Sequence, residues 1–348
     1  MTLTRRDAIH HLLRLGLLTP AMLVERGVAA TEYVGRNHLV RVELADGAGW
    51  IVKRPRVLGT PDAATMWTEA AVFWLSVNEP RFAPLRRWMP RFDHYDERTS
   101  LLTTELIAAS DSLLNVLLRG ERVGSAPLGE IGRAFGTLHG PVSRVLRDER
   151  TRKLFRSQPA WALTLGGPQP YYRPGTGAAR AILQAVLTEP GAVAAFGAAR
   201  AAWGGAQLVH GDAKAANVLV AADGTVRVID WETAALGDGL WDVAGVVHSL
   251  LIPNGLANVE PLEAAERRAR PHVDALWHGY LAALGAPPPG DDPRVAMLRL
   301  TGVRLVQTCL ESAQFVDAVQ PAAAAALRMG LELMTRPEAS RARWERAA

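Results

Sequence analysis

The sequence almost lacks cysteine. Cys309 is the only cysteine among 348 residues. A single thiol forms neither an internal disulfide framework nor a cysteine-cluster metal site, so both are excluded. Cys309 follows Val303, Leu305 and Val306 at helical spacing, and we predict that it is a small buried core residue.

Long apolar runs are also missing. No window reaches the roughly 18 apolar residues that a membrane-spanning helix needs. The stretch TRRDAIHHLLRLGLLTPAMLVERGVAA has twin arginines and an apolar centre, as export signals do, but Arg14 interrupts that centre and Glu25 and Arg26 close it. We therefore expect an amphipathic helix followed by a second short helix, no membrane contact and a cytoplasmic protein.

Blocks of like charge are absent as well. Lys and Arg number 39 against 35 Asp and Glu, and the basic residues are mostly scattered arginines. A nucleic-acid partner is therefore not expected, and the net charge of +4 fits an anionic ligand. Hydrophobic residues make up 49% and charged residues 21% of the chain, which is typical of a folded globular protein.

The first hundred residues show strand patterns around one helix. In residues 31–56, Val40, Val42 and Leu44 alternate with polar neighbours, and DGAG separates them from the strand WIVK, so three short strands are predicted. A helix is predicted over Asp62 to Val77 from one apolar face. The residues of that face are Met66, Ala70, Phe73, Trp74 and Val77. The run SLLTTELIAA at 100–109 predicts a buried strand, and Asp111 offers an N-cap for the next helix, SLLNVLL.

Four polar residues crowd the stretch LVHGDAKAANVLV. They are His210, Asp212, Lys214 and Asn217. Burying so many polar groups is costly unless partners satisfy them. A second apolar run, VRVID, ends at Asp230, and ADGT between the two runs predicts a hairpin that would bring Asn217 and Asp230 together. This oxygen-only pair suits Mg²⁺ with phosphate oxygens rather than zinc.

Asp212 lies on the same loop, where it could accept a proton from a hydroxyl nucleophile. Phosphoryl transfer asks little covalent chemistry of a protein, but it needs an in-line nucleophile and neutralised phosphate charge. The residue types of this stretch match that demand.

The motifs HGDAKAAN and IDWE resemble the catalytic segment of the aminoglycoside phosphotransferase and choline kinase-like families, which share the protein-kinase fold. GDGLWDVA at 237–244 matches the same pattern. The resemblance, which covers most of residues 28–250, implies that Asp212 is the catalytic base and that Asn217 and Asp230 hold the metal. It makes Asp242 a brace of the catalytic loop.

The resemblance also implies parts upstream. A strand lysine should meet the α- and β-phosphates and pair with a glutamate on the following helix, and Lys53 and Glu69 fill these positions. The loop that covers the phosphates should be GRNH, which has one glycine, Gly35, and in which Arg36 or Asn37 would contact phosphate. An ordinary turn is an alternative for this loop.

The implied cofactors are ATP, with GTP as an alternative, and Mg²⁺. The adenine base is expected against backbone groups of the connector at Glu105, Leu106 and Ile107. We interpret His139 and His210 as structural. Two further carboxylates, Glu232 and Asp238, would either support the metal site or serve as solvated or capping groups.

Lys214 departs from the small-molecule branch, which commonly has histidine two positions after the catalytic aspartate. The pattern D-x-K-x-x-N is similar to that of protein Ser/Thr kinases, where the lysine meets the transferring phosphoryl group and stabilises developing charge. We therefore predict a catalytic role for Lys214, and it favours a peptide hydroxyl as acceptor.

Two acceptor classes remain open. The family favours a small molecule such as an aminoglycoside, a sugar or an amino alcohol. The alternative is Ser or Thr of a ribosomally made precursor peptide in lanthipeptide-type maturation, with a lyase as partner, and the arginine-rich helical end lacks the acidic cluster that a polycationic aminoglycoside favours. A nucleotide-binding pseudokinase that serves as an interaction module is a further alternative, against which the intact motif residues argue.

The predicted fold is α+β and bilobal, a protein-kinase-like fold with a small antiparallel β N-lobe and a mainly helical C-lobe. Residues 1–108 would form the nucleotide-binding N-lobe. Residues 109–348 would form the C-lobe, with the catalytic loop at 208–242 and acceptor-binding helices at about 250–335. No role is assigned to the Pro/Gly/aromatic segment 157–177, and the charged last dozen residues are expected to fray.

Overall fold

A computed structural model describes residues 3–57, 61–121, 123–144, 146, 149–168, 170–204, 207–288, 290 and 292–346. In chain order the helices are α1 Arg5–Arg14, α2 Pro20–Glu25, α3 Pro61–Asn78, α4 Leu113–Leu118, α5 Ser125–Thr137, α6 Glu149–Arg152, α7 Gly177–Thr188, α8 Ala192–Ala201, α9 Leu240–Leu251, α10 Leu262–Leu284, α11 Pro293–Ala313, α12 Pro321–Thr335 and α13 Pro337–Arg346. The strands are β1 Val28–Val34, β2 Asn37–Leu44, β3 Gly49–Pro55, β4 Phe92–Asp96, β5 Leu101–Glu105, β6 Ser110–Ser112, β7 Gln207–Val209, β8 Val218–Ala221, β9 Val226–Val228 and β10 Ala235–Gly237.

The chain forms two compact units, which together make the bilobal, kinase-like α+β fold. The first contains Met1–Asp111 and Leu219–Ala234, and the second contains Ser112–Val218 and Ala235–Ala348. Residues 219–234 therefore group with the first unit, although the sequence division at residue 108 placed them in the C-lobe. Their strands β8 and β9 pair in a three-stranded sheet of order β6-β8-β9, which explains the grouping. The assignment of nucleotide and acceptor binding to the two lobes stays a prediction.

The N-terminal residues fold as the two helices expected from sequence. Thr4 caps α1 and shares a capping box with Asp7, and Thr19 caps α2. The apolar side of α1, with Leu12 fully buried, packs in one core with strand residues that include Val40 and Val52. Because this face is buried in the first unit, the segment is part of the folded domain.

The first unit is built on a five-stranded antiparallel sheet of order β1-β2-β3-β5-β4. Strand side chains alternate between the two faces, so Val52 of β3 enters the core beside α1 while Lys53 lies on the opposite face. On α3, the predicted apolar positions Met66, Ala70 and Phe73 are buried. The same prediction was wrong for Trp74 and Val77, which are 54% and 47% exposed.

The second unit is mainly helical, with β7 and β10 as a small antiparallel pair. Ser112, not the predicted Asp111, caps α4, since its side chain accepts from the Asn115 amide at 3.1 Å. Cys309 is fully buried on α11, as expected. Gln169 of the segment 157–177 lies outside the described residues; Trp161–Thr164 in that segment forms a 3₁₀ turn.

The predicted fraying at the C-terminus was wrong within the described residues, because α13 is a packed helix. Trp344 is 4% exposed, and Arg343 pairs with the buried Glu266 at 2.6 Å. Charged composition alone did not reveal these two anchors.

A helix that spans a membrane must be both long and apolar. Within the described part of the chain, no single helix meets both requirements. One bent pair, Gly177–Thr188 with Ala192–Ala201 at 85°, meets them jointly.

Candidate active site

In the first unit, Lys53 on β3 is surrounded by three carboxylates. Its Nζ lies 2.8 Å from Glu69 Oε2 on α3 and 3.3 Å from Glu232 Oε2, and it donates to Asp230 Oδ1. Lys53 and Glu69 side chains are 12% and 5% exposed, whereas Asp230 is 34% exposed. The structure thus forms the predicted pair of Lys53 and Glu69 and brings Asp230 to it.

The charge of this cluster suits a divalent cation. Burial alone would lower the pKa of Lys53, but Glu69, Asp230 and Glu232 outweigh it and raise that pKa well above its usual value. One ammonium then faces three carboxyl groups, and one oxygen from each lies within 4.8 Å of the others. Such hard oxygen donors bind Mg²⁺ or Ca²⁺, so the donor set fits a divalent metal.

Asp230 is held in a strained backbone conformation. Its φ of 66° and ψ of 55° lie in the left-handed region, which few residues other than glycine adopt. It directly precedes the 3₁₀ turn Trp231–Thr233 and follows the hairpin of β8 and β9. Strain of this kind concentrates at functional sites, where the surrounding structure fixes one side-chain direction.

The predicted phosphate loop is a tight hairpin turn. Only Gly35 and Arg36 lie between β1 and β2, since Asn37 and His38 already belong to β2. Asn37 Nδ2 donates to Glu232 Oε2 at 2.6 Å, and Arg36 lies 3.2 Å from Glu232 Oε1. Glu232 therefore joins this turn to Lys53, a role that sequence reasoning had left open.

Some backbone groups of the connector after β5 already form hydrogen bonds with neighbouring backbone. The Glu105 amide donates to Arg91 O, and the Leu106 amide donates to Gly49 O, both at 2.9 Å. The Ile107 carbonyl accepts from Ser110 Oγ at 2.8 Å. An adenine base at this connector would thus meet other backbone groups than the amides of Glu105 and Leu106.

In the second unit, the predicted catalytic loop holds the carboxylate of Asp212. Lys214 Nζ lies 2.6 Å from Oδ2, and Asn217 Nδ2 donates to the Asp212 carbonyl at 2.9 Å. Burial alone would raise the pKa of Asp212, but the cations Arg304 and Lys214 outweigh it and lower that pKa below its usual value. Because Asn217 uses its amide nitrogen in this way, its carbonyl oxygen is the atom suited to a metal.

Arg304 is a site residue that sequence reasoning missed. It lies on α11, 92 positions from Asp212, and its Nη2 is 3.3 Å from Asp212 Oδ1. Its side chain is 5% exposed. No motif surrounds it, so only the packing of α11 against the catalytic loop reveals it.

Asp242 braces the catalytic loop from α9. It accepts from the backbone amides of His210 at 2.6 Å and Gly211 at 2.9 Å, and from His139 Nε2 at 3.0 Å. Gly211 has φ +84°, which favours glycine at this bend. His139 and His210 thus have structural contacts, and Asp238 accepts from the Leu240 amide at the start of α9, a capping contact.

The segment 157–177 and α11 together line a cavity of about 310 Å³. The rings of Trp161 and Tyr172 stack at 5.0 Å between centroids, and Tyr172 Oη donates to Leu310 O at 3.0 Å. The lining residues are Trp161, Tyr171, Tyr172, Arg173, Glu311 and Gln314. The segment without an assigned role is therefore a wall of this cavity.

The fold and these side chains define a class, the phosphotransferases with a protein-kinase-like fold. The chain matches the phosphotransferase enzyme family over residues 36–276 and belongs to that family. It is a kinase-type phosphotransferase. Among curated proteins no significant match was found.

Solved structures of similar fold include three kinases or kinase relatives. A choline/ethanolamine kinase family protein from Mesorhizobium loti shares 18% identity with a TM-score of 0.56, covering 99% of this chain and 100% of that chain. A choline kinase from Cryptosporidium parvum shares 10% identity with a TM-score of 0.53, covering 99% and 97%. An amicoumacin kinase, solved with AMP-PNP and Ca²⁺, shares 13% identity with a TM-score of 0.53, covering 95% and 94%. At these identities, the likeness shows the fold.

Proposed function

We propose that this phosphotransferase uses ATP and Mg²⁺ to phosphorylate an alcohol hydroxyl of a small molecule, with Asp212 as the catalytic base. The observation that carries the proposal is the contact of Lys53 with both Glu69 and Asp230. A lysine held in this way can bind phosphate oxygens, and the glutamate fixes its direction. Family membership supports phosphoryl transfer, and the choline kinase and the amicoumacin kinase of similar fold support a small-molecule acceptor.

Asp212 has the environment of a proton acceptor. The lowered pKa keeps its carboxylate ionised, and 27% of the side chain is exposed. In the proposed step Asp212 takes the proton of the acceptor hydroxyl, the acceptor oxygen bonds to the γ-phosphorus, and the bond to the β–γ bridging oxygen breaks, releasing ADP.

Asn217 and Asp230 are the proposed metal ligands. Each offers an oxygen, and Glu232 adds a second carboxylate near Asp230. When bound, Mg²⁺ would neutralise negative charge on the phosphate oxygens. Lys214, with a side chain 42% exposed, is proposed to turn from Asp212 to the transferring phosphoryl group.

The aromatic cavity beside α11 is the proposed acceptor site. Aromatic faces bind cations, and the lining also contains one carboxylate, that of Glu311, and one guanidinium, that of Arg173. An acceptor that carries both a hydroxyl and an amine fits this lining. The cavity lies in the same unit as Asp212, and α11 carries both Glu311 and Arg304, the neighbour of Asp212.

The proposal is tested with labelled ATP, Mg²⁺ and two acceptor panels, one of amino alcohols and aminoglycosides and one of Ser/Thr-containing peptides. Asp212→Asn should lower kcat by about 10²–10⁴-fold, the usual contribution of a general base, and leave ATP binding intact. Asp223→Asn is the matched control, because Asp223 lies in the exposed turn between β8 and β9.

Three results would overturn the proposal. Label on peptides alone would replace the small-molecule acceptor with a peptide hydroxyl. An unchanged kcat in Asp212→Asn would remove the assigned base. ATP binding by the wild type without transfer to any acceptor or to water would indicate a binding module.

A further inference from the structure

We propose that Arg304 is a positioning residue that fixes the carboxylate of Asp212 so that Oδ2 is the proton-accepting atom. The inference rests on the proposed function, because it needs Asp212 as the base. It assigns a role to α11, an element that carries no recognisable motif.

The contacts divide the two oxygens of Asp212 between different cations. Arg304 Nη2 lies 3.3 Å from Oδ1 and also donates to the Ala213 carbonyl at 3.2 Å. Lys214 lies 2.6 Å from Oδ2. Arg304 therefore binds both the carboxylate and the backbone of the next residue, which restricts how the Asp212 side chain can rotate.

The guanidinium of Arg304 is itself held on several sides. It lies over the ring of Trp241 at 4.9 Å from the centroid, and its Nη1 donates to Gln307 Oε1 at 3.3 Å. Trp241 Nε1 in turn donates to the carbonyl of Gly211, directly before Asp212, at 2.9 Å. Arg304 and the catalytic loop thus share one support on α9.

Gly245 of α9 allows Arg304 and the backbone at Ala213 to lie this close to the helix. A Cβ on Gly245 of α9 would overlap the carbonyl oxygen of Ala213, and it would lie 3.1 Å from Arg304 Nη2. The close approach of α9 leaves no room for a side chain at the point where Arg304 meets the loop. These contacts form a built site for one guanidinium.

The two cations differ in freedom of movement. Arg304 is 5% exposed, whereas Lys214 is 42% exposed and can turn toward solvent or a phosphoryl group. When Lys214 leaves Oδ2, Arg304 still holds Oδ1. Oδ2 then keeps the contact from Asn217 Nδ2 at 3.4 Å and is the oxygen left to receive the acceptor proton, in a direction set by Arg304.

The test uses Arg304→Met, Arg304→Lys, Asp212→Asn and the double variant Asp212→Asn/Arg304→Met. Transfer to the preferred acceptor and Mg²⁺-dependent ATP hydrolysis in its absence are both measured. Arg304→Met should lower kcat by about 10²-fold, as a small misplacement of a reacting group can, with the KM for ATP unchanged. Arg304→Lys, which keeps the cation, should regain part of the loss.

The matched control is Arg299→Met on the same helix. Arg299 pairs with Glu338 at 3.5 Å, and that glutamate is 67% exposed. Loss of this surface ion pair should leave kcat at the wild-type value. In the Asp212→Asn background, Arg304→Met should cause no further loss, because residues that act as one unit are not additive.

The outcomes separate the inference from the proposed function. If Asp212→Asn shows its expected loss but Arg304→Met resembles Arg299→Met, the role of Arg304 is overturned while the base assignment stands. Equal losses from Arg304→Met in the wild-type and Asp212→Asn backgrounds also overturn it, since they indicate a general structural effect. A wild-type kcat in Asp212→Asn, or no turnover by the wild type, overturns the proposed function and the premise with it.

Discussion

Lysine is rare in this chain, and it occurs where an ammonium pairs with carboxylates. Only three lysines occur, and Lys53 and Lys214 both contact carboxylates of the candidate site. The third, Lys153, pairs on the surface with Glu149. A compact ammonium can donate in three directions and so serve Glu69, Asp230 and Glu232 at once, which the planar fork of an arginine does less well.

At the same scale, Glu311→Gln tests the proposed acceptor cavity. The change removes one charge but keeps an oxygen to accept from Gln307 Nε2, which now donates to Glu311 at 2.8 Å. We expect the KM for amine-bearing acceptors to rise about fivefold, since an exposed ion pair contributes up to about 1 kcal/mol. Steady-state kinetics with an amino alcohol and a matched acceptor without the amine measure the effect.

The control for this prediction is Glu345→Gln, which removes an exposed carboxylate of α13 that pairs with Arg341. It should leave the KM unchanged. An equal rise in KM for acceptors with and without the amine would contradict a charge contact with Glu311.

Residues inside a local motif could be predicted from sequence, and residues outside one could not. Asp212 and Lys214 share one short loop, and the spacing of Lys53 and Glu69 follows from a strand and its next helix. Arg304 acts across 92 positions through packing alone. Its neighbours on α11 are mostly apolar and form no motif, so no local pattern connects it with Asp212.

At the scale of elements, glycines set how closely α5 and α10 pack. A Cβ on Gly132 of α5 would overlap the carbonyl oxygen of Leu276, and one on Gly279 of α10 would overlap that of Gly129. Both overlaps involve backbone, which cannot move aside as a side chain can. These glycines therefore allow a short interaxial distance between the two helices.

This packing predicts opposite effects for two Gly→Ala changes. Gly132→Ala should lower the free energy of unfolding by about 1–3 kcal/mol, as overpacking does. Gly197→Ala, in the exposed middle of α8 with nothing within 4 Å of a Cβ, should raise it by about 0.5–1 kcal/mol through helix propensity. Denaturant unfolding measures both, and the same sign for both would contradict the packing argument.

Apolar periodicity located α3 but not the extent of its buried face. Met66 and Phe73 are buried as expected, whereas Trp74 is 54% exposed. Periodicity marks one side of a helix, but the neighbouring element decides how much of that side it covers. The same reason explains α13, which is ordered by Trp344 and the Arg343–Glu266 pair despite its charged sequence.

At the scale of the whole molecule, buried histidines predict how stability depends on pH. Burial, with Arg304 as a second cause, lowers the pKa of His248 from 6.5 to about 3. Its Nε2 lies 2.9 Å from Thr308 Oγ1. Burial also lowers the pKa of His11 to about 4. At pH values between the lowered pKa and the ordinary pKa of 6.5, each histidine is neutral in the folded state but protonated in the unfolded chain.

The folded state should therefore lose stability as the pH falls below 6.5. For His248 the loss is about 1.4 kcal/mol per pH unit, ending near its folded pKa, because the unfolded chain binds one more proton in that range. Denaturant unfolding between pH 7 and pH 5 measures the slope. His248→Gln should reduce this slope by about 1.4 kcal/mol per pH unit, and His11→Gln should reduce it by a similar amount above pH 5. An unchanged slope in both variants would contradict the assignment.

The sequence by itself determined the fold class and the candidate site residues, because both follow from short motifs that resemble those of a known family. Strand and helix patterns located the segments that carry Lys53 and Glu69, and the resemblance to a phosphotransferase family singled out the site residues. These are Lys53, Glu69, Asp212, Asn217 and Asp230. The tertiary structure alone decided which distant groups share these sites. Arg304 reaches Asp212, and Glu232 joins the hairpin turn at Gly35 to Lys53, through contacts between elements far apart in the chain. The cavity formed by Trp161, Tyr172 and Glu311 likewise exists only once α11 packs against the segment 157–177, since contacts of this kind leave no periodic trace in a sequence.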